Sequence, residues 1–227
     1  MPPRSDAARL ALALGLSLLA PGASGQSFVP GAFQLTQYWI AEESLQDTGR
    51  PQALVDRHGH TLAWSCPHFV SSLTMEGTGR TWDGRLLNWD ARVNGRACFV
   101  EVDPALYPFG VGVQGYALVP FRSLAVDARY VPLGHVIELP ELSGIPLPDG
   151  TRHDGCFVAV DGGGAILGHH LDLFLPSTRW YRDLRGAGYL PRQVSVVIDP
   201  PRCASARRFA IRPTPYGPAG DPRDIPR

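Results

Sequence analysis

From about residue 70 the chain is a succession of short apolar runs, almost every one ended by glycine, proline, asparagine or aspartate. A backbone released into turns this often builds strands and tight connections but few helices. The pattern predicts an all-β barrel, with strands at about 71–80, 84–89, 97–102, 115–119, 122–126, 135–139, 156–160, 170–175 and 194–199. The best helix signal is "PSTRWYRDLRGAG", where Pro176, Ser177 and Thr178 offer a start and Gly186 a stop. "FQLTQYWIAEE" reads as an earlier strand, and "PQALVDRHGHTLAWSC" as a second piece turning at His58-Gly59-His60.

Three aspartates stand where an apolar run meets a turn-forming or glycine-rich segment: Asp127 in "SLAVDARYVPLG", Asp161 in "CFVAVDGGGAILG" and Asp172 in "HHLDLF". A strand that stops at Asp-Gly-Gly-Gly cannot continue its ladder. Asp161 is therefore expected at a strand end, beside a loop where the backbone of Gly163 and Gly164 can approach a ligand closely. The run "HLDLFL" then carries Asp172 back along the barrel, and carboxylates gathered this way can do acid–base work.

These residues carry a resemblance. "SLAVDARYVPLG" followed by "FVAVDGGGAILGHHLDLF" looks like the 3D domain, named for its three aspartates and found in the membrane-bound lytic transglycosylase A family and related bacterial wall-remodelling proteins. The upstream "LTMEGTGRTWDGRLLNW" is similar to the Met-x-x-Thr strand that opens such domains, so the resemblance spans roughly residues 71–198. One position departs from the pattern: the family often has lysine after "GGAI", where this chain has Leu167.

The resemblance implies a double-psi β-barrel with a six-stranded core over the 3D domain (70–203), and the chain's own patterning adds a signal peptide (1–25), an N-terminal extension packed on the barrel (26–69) and a loose Arg/Pro-rich tail (204–227). The resemblance also implies cleavage of the bond between N-acetylmuramic acid and N-acetylglucosamine in peptidoglycan, without water and with formation of a 1,6-anhydro ring. Asp172 is then the single general acid and base, and Asp161 the neighbouring carboxylate that helps keep it protonated. Asp127 is expected to end its strand or to meet substrate. Thr78 matches the family's threonine and is placed to hydrogen-bond substrate or Asp172. Glu76, one alternation earlier on the same expected strand face, would point into the same groove.

Composition closes off other classes. Formal charge is +0, with 21 basic and 21 acidic residues, so nucleic acid is not an expected partner. Every basic residue apart from histidine is arginine. That excludes Schiff-base lysine chemistry, a P-loop lysine and covalently bound pyridoxal phosphate. "GGGAILG" lacks the spacing and the βαβ context of a dinucleotide fingerprint. No cofactor is expected. A metal centre, read either from His169, His170 and Asp172 with His153 or Asp154 as further ligands or around His170, Asp172 and Asp161, is the less favoured chemistry, and a non-catalytic polysaccharide-binding barrel is the alternative to an enzyme.

Residues 1–25 have Arg4 and Arg9, an apolar run over 10–20 and Ala23-Ser24-Gly25, the pattern of a cleavable export signal. The run is too short to span a bilayer, and no lipid-anchoring cysteine follows it. The expectation is a monomer, periplasmic or secreted, without stable membrane insertion. Cys66, Cys98, Cys156 and Cys203 fit two disulfides there, with three possible pairings.

Overall fold

The computed structural model describes residues 27–46 and 48–213. Its strands are β1 (Ser27–Tyr38), β2 (Ala41–Glu42), β3 (Gln52–Val55), β4 (Thr61–Ser65), β5 (Thr78–Arg80), β6 (Leu86–Val93), β7 (Arg96–Val102), β8 (Ser123–Val126), β9 (Val136–Glu138), β10 (Cys156–Asp161), β11 (His170–Phe174) and β12 (Gln193–Ile198). Two short α-helices, α1 (Pro67–Glu76) and α2 (Thr178–Gly186), join them.

Alternation builds the barrel. In β11, Leu171 and Leu173 are fully buried in the same cluster as Phe33, Leu35, Leu124 and Ala159, which fills the interior, while His170 and Asp172, which alternate with them, are only half-buried. Six strands close in the order β1-β11-β8-β10-β9-β12, with β1–β11 and β8–β10 parallel and the other contacts antiparallel. Exchanging the first three barrel strands in the chain (β1, β8, β9) for the last three (β10, β11, β12) reproduces every neighbour and every direction. That two-fold topology, with its two parallel pairs, is the double-psi barrel. The repeat is invisible in the sequence because a second lobe interrupts only the first half.

The lobe, residues 39–122, contains the four-stranded sheet β2-β5-β6-β7, the hairpin β3-β4 and α1. The hairpin turns at Gly59, whose φ of 90° favours glycine, as read from the sequence. An apolar cluster joins the lobe to the barrel's outer wall: Leu86 and Val102 pack with Tyr38, Ala125, Ile166 and Phe174.

Several expectations need correction. β1 is itself a barrel strand, where the sequence suggested an extension packed on the barrel. Residues 71–80 are not one strand: α1 occupies Pro67–Glu76 and β5 follows. Pro67 starts the helix, the Cys66 sulfur accepts the Phe69 N–H at 3.3 Å, and Gly77 ends it at φ 79° with its N–H donated to Leu73. The buried positions Phe69, Leu73 and Glu76 repeat at helical spacing, which the alternating Ser, Thr and Leu of the segment obscured. In place of a strand at 115–119 there is a one-turn 3-10 helix, Val113–Gly115, and a bridge from Val111 to Ala117. The expected tail begins with a 3-10 helix, Pro201–Phe209, fixed by a disulfide between Cys203 and Cys156. Cys66 and Cys98 are buried thiols, so the chain has one bridge among its described residues and not two. The segments read as an export signal (1–25) and as the end of the tail (214–227) lie outside the described residues.

Candidate active site

Strand register places the site. Thr36 of β1 pairs with Asp172 of β11, Asp172 with Ala125 of β8, and Ala125 with Asp161 of β10. The four form one row across four neighbouring strands. Leu35, Leu124, Leu171 and Leu173 beside them fill the barrel interior, so the row faces outward, toward the inserted lobe. Asp161 joins the row only because the register shifts between Ala159 and Asp161. Without that bulge at Val160, strict alternation after the inward Ala159 would turn Asp161 back into the barrel. The small Ala125 side chain lies between the two carboxyls in this row.

Asp172 Oδ1 lies 2.8 Å from Thr36 Oγ1, and the same hydroxyl oxygen lies 2.8 Å from His170 Nε2. Burial pushes the Asp172 carboxyl up to about 6, against the opposing effect of the Thr36 hydroxyl. Asp161 is held differently. Its Oδ2 accepts the Tyr38 O–H at 2.8 Å and its Oδ1 the Gly162 N–H at 2.8 Å, and the Val113 N–H also donates to it. Burial still raises it to about 6, with the Asp172 charge adding to the shift. Tyr38, buried beside these carboxylates, is pushed well above the ordinary phenol range, chiefly by burial and then by the Asp161 charge.

Glu76 completes the cluster from the lobe. It is the last residue of α1, only 8% exposed, and one oxygen accepts the Trp39 N–H at 3.2 Å. Burial chiefly, with a smaller push from the Asp172 charge and against the Trp39 N–H bond, raises it to about 7. The sequence brought Glu76 to this groove by strand alternation; a helix end delivers it instead.

The remaining candidates go elsewhere. The buried Thr78 hydroxyl donates to Asn88 Oδ1 at 3.3 Å, inside a clamp in which Asn88 holds both backbone groups of Val111. The threonine at Asp172 is Thr36. Asp127 binds Arg129 through both carboxylate oxygens and accepts the Gly168 N–H at 2.7 Å, so it fixes the loop that leads into β11. Those bonds, the Arg129 guanidinium's first, hold its carboxyl well below the usual range. Gly163 and Gly164 lie exposed in the turn after Asp161. His153 is buried between the Phe121 carbonyl and the Gly155 N–H, and burial lowers it to about 4, which keeps it neutral. Among the described residues no three His, Cys, Asp or Glu side chains are grouped closely enough to hold a metal ion.

An open groove of about 900 Å³ is lined by Gln34, Thr36, Gln37, Trp39, Tyr181 and Arg192, among others; Thr36 is the member of the row that reaches it, and neither Asp172 nor Asp161 is among its lining residues. The Trp39 and Tyr181 rings lie 5.1 Å apart along it. Thr36 and Tyr38 were missed by sequence reasoning, because "FQLTQY" has no motif of its own and matters only through its pairing with β11.

Residues 122–198 match the family model of the 3D domain, a stretch that contains β8 through β12 and all three aspartates. The chain carries a 3D domain there. No curated protein matches the chain. Among solved structures, E. coli MltA with bound chitohexaose is 17% identical, with 74% of this chain and 71% of that one covered and a TM-score of 0.49. A membrane-bound lytic murein transglycosylase from Agrobacterium tumefaciens is 16% identical, with 81% and 78% covered and a TM-score of 0.49. LtgG, a lytic transglycosylase of Burkholderia pseudomallei, is 18% identical, with 76% and 68% covered and a TM-score of 0.35. No described helix is long and apolar enough to cross a membrane.

Proposed function

We propose that this protein is a peptidoglycan lytic transglycosylase, acting outside the cytoplasm on glycan strands, with Asp172 as its single general acid and base. The observation that carries the reading is the Asp172 carboxyl itself: half-buried, raised to about 6, and bonded through one oxygen to the Thr36 hydroxyl in a row that also holds Asp161. The 3D-domain match over the same residues supports it.

The chemistry follows from that state. Asp172 in its acid form gives its proton to the glycosidic oxygen as the C1–O bond of the muramic residue breaks. The N-acetylglucosamine-side alcohol leaves, and the carboxylate then takes the proton from the muramic C6 hydroxyl. That oxygen bonds to C1 and closes the 1,6-anhydro ring, so Asp172 ends as it began. A hydrolytic pair of carboxylates would need a second base free to activate water. Asp161 is a poor candidate, because each of its oxygens already accepts a hydrogen bond from Tyr38 or Gly162.

Digestion of purified sacculi, with mass spectrometry of the released fragments, tests this. Anhydro-muropeptides are the expected product. Fragments with reducing ends would replace the reading by hydrolysis, and binding without release would replace it by a non-catalytic glycan-binding barrel.

A further inference from the structure

Two close contacts meet at the Thr36 hydroxyl. Its oxygen lies 2.8 Å from His170 Nε2 and 2.8 Å from Asp172 Oδ1, with the Leu171 carbonyl a distant third at 3.5 Å. A hydroxyl donates once, so at one of the two close contacts Thr36 must accept. The other ring nitrogen decides which. His170 Nδ1 lies 3.2 Å from the Ala165 carbonyl, an oxygen that can only accept, and Nδ1 therefore carries a hydrogen. In neutral imidazole that leaves Nε2 as the acceptor.

We infer that His170, acting through the Thr36 hydroxyl, is a positioning residue that keeps the transferable proton on Asp172: an ionised Asp172 takes the Thr36 O–H at Oδ1, but while His170 is neutral and its Nδ1–H is held by Ala165 O, Nε2 competes for that hydrogen and Thr36 Oγ1 is left to accept the carboxylic O–H. The inference rests on Asp172 being the acid of the proposed reaction, but the hydrogen-bond chain stands independently of catalysis. With neutral His170, ionised Asp172 would face the Thr36 oxygen without its proton, or else leave Nε2 unpaired. When the carboxylic proton departs with the leaving group, Thr36 can turn its hydrogen toward the new carboxylate and strengthen it for the second step. The hydroxyl thus favours whichever form of Asp172 is present, and His170 biases the resting choice toward the acid.

The groups facing Asp172 are Thr36 and Tyr38 from β1, Glu76 from α1, Asp161 from β10 and His170 from its own strand. The two hypotheses for His170 have opposite signs. An imidazolium acting through space would favour the Asp172 carboxylate, so its removal would raise the carboxyl's titration midpoint. Under the hydrogen-bond chain, His170→Phe keeps the ring but frees the Thr36 hydrogen to bond the carboxylate, and the midpoint falls. One hydrogen bond changing sides is worth about one pH unit.

The test follows the Asp172 carboxyl by carbon-13 NMR as pH is varied, with Asp172→Asn identifying the signal. The expected result is a downward shift in His170→Phe and no further effect of His170→Phe in a Thr36→Val background. An upward or absent shift, or an equal shift in both backgrounds, overturns the inference. Nitrogen-15 spectra of wild-type His170 in its neutral form provide a second measurement that requires no folded variant of the pair. Nδ1–H is expected, and Nε2–H overturns it. Neither readout involves glycan cleavage, so failure of the relay and failure of the proposed activity are distinguished.

Discussion

At the residue scale the site is a set of carboxyls kept partly protonated by burial, and that has two measurable consequences. Asp172→Asn keeps shape and can still meet Thr36, but it cannot deliver the proton. Turnover should fall by about 10² to 10⁴, the usual worth of general acid–base catalysis. Steady-state kinetics on sacculi check this, with melting curves to show that the variant is folded. The same substitution should stabilise the protein in mild alkali. Asp172 titrates near 6 when folded, against an ordinary value of 3.8, so the folded state holds its proton more tightly than the unfolded chain. Its favourable contribution is complete below pH 4 and is lost as pH rises through about 6. Asp172→Asn should therefore gain about 1 to 2 kcal/mol at pH 8, after allowance for partial solvent screening, and nothing at pH 4. Equal melting at both pH values would show that the carboxyl is not perturbed. Activity follows the same titration: with the acid form lost above about 6, kcat/KM should decline on the alkaline side of that pH. Asp127 has the opposite sign, since its bonds to Arg129 and Gly168 lower its folded value. Its contribution is present above about pH 4 and is lost on further acidification, and Asp127→Asn should lose stability at neutral pH while retaining far more activity than Asp172→Asn.

At the scale of elements, the decisive feature is the bulge in β10 that turns Asp161 into the outward row. The loop before Gly115 rests against it: a Cβ on Gly112 would fall onto the Val160 carbonyl and within 3.3 Å of the Asp161 Cβ. From the same loop Val113 donates its N–H to Asp161. Gly112→Ala should therefore push the loop off the bulge, at a cost of about 1 to 3 kcal/mol for overpacking, and loosen the grip on Asp161. Denaturant unfolding measures the first effect and the Asp161 carboxyl signal the second; an unchanged carboxyl environment would show that the loop does not hold the site. None of this is legible in the sequence. The outward alternation of β11 and the strand end at Asp161 could be read locally, because "HLDLF" and "VAVDGGG" carry their own pattern. Pairing could not: Thr36 is 136 residues from Asp172, and nothing in "FQLTQY" announces which strand it will join. Glu76 was found for the wrong reason, since the segment that holds it alternates like a strand but buries Phe69, Leu73 and Glu76 like a helix. Thr78, singled out by resemblance, has its hydroxyl spent on Asn88.

At the scale of the molecule, the barrel and the inserted lobe are held together on one side by the cluster around Tyr38 and Phe174, and the site lies along that junction. On another part of the wall the Cys156–Cys203 bridge fixes the 3-10 helix Pro201–Phe209 to β10, where Val136, Val158 and Ala206 pack with it. The bridge closes a sequence separation of 47, for which chain entropy alone predicts about 4 kcal/mol of stabilisation. Reduction should lower the melting temperature accordingly. It should spare the carboxyl row, because Thr36, Asp172 and Asp161 are positioned by strand register and not by that helix. Cys66 and Cys98 are thiols, with Cys66 already engaged as the helix cap of α1, so reductant has nothing else to cleave. Three results are then expected together. Denatured, unreduced protein should titrate two thiols; the Cys156→Ser, Cys203→Ser double variant should melt like reduced wild type; and reductant should leave the double variant's melting unchanged. A further drop on reduction of that variant would reveal a second bridge and overturn the assignment of Cys66 and Cys98 as free thiols.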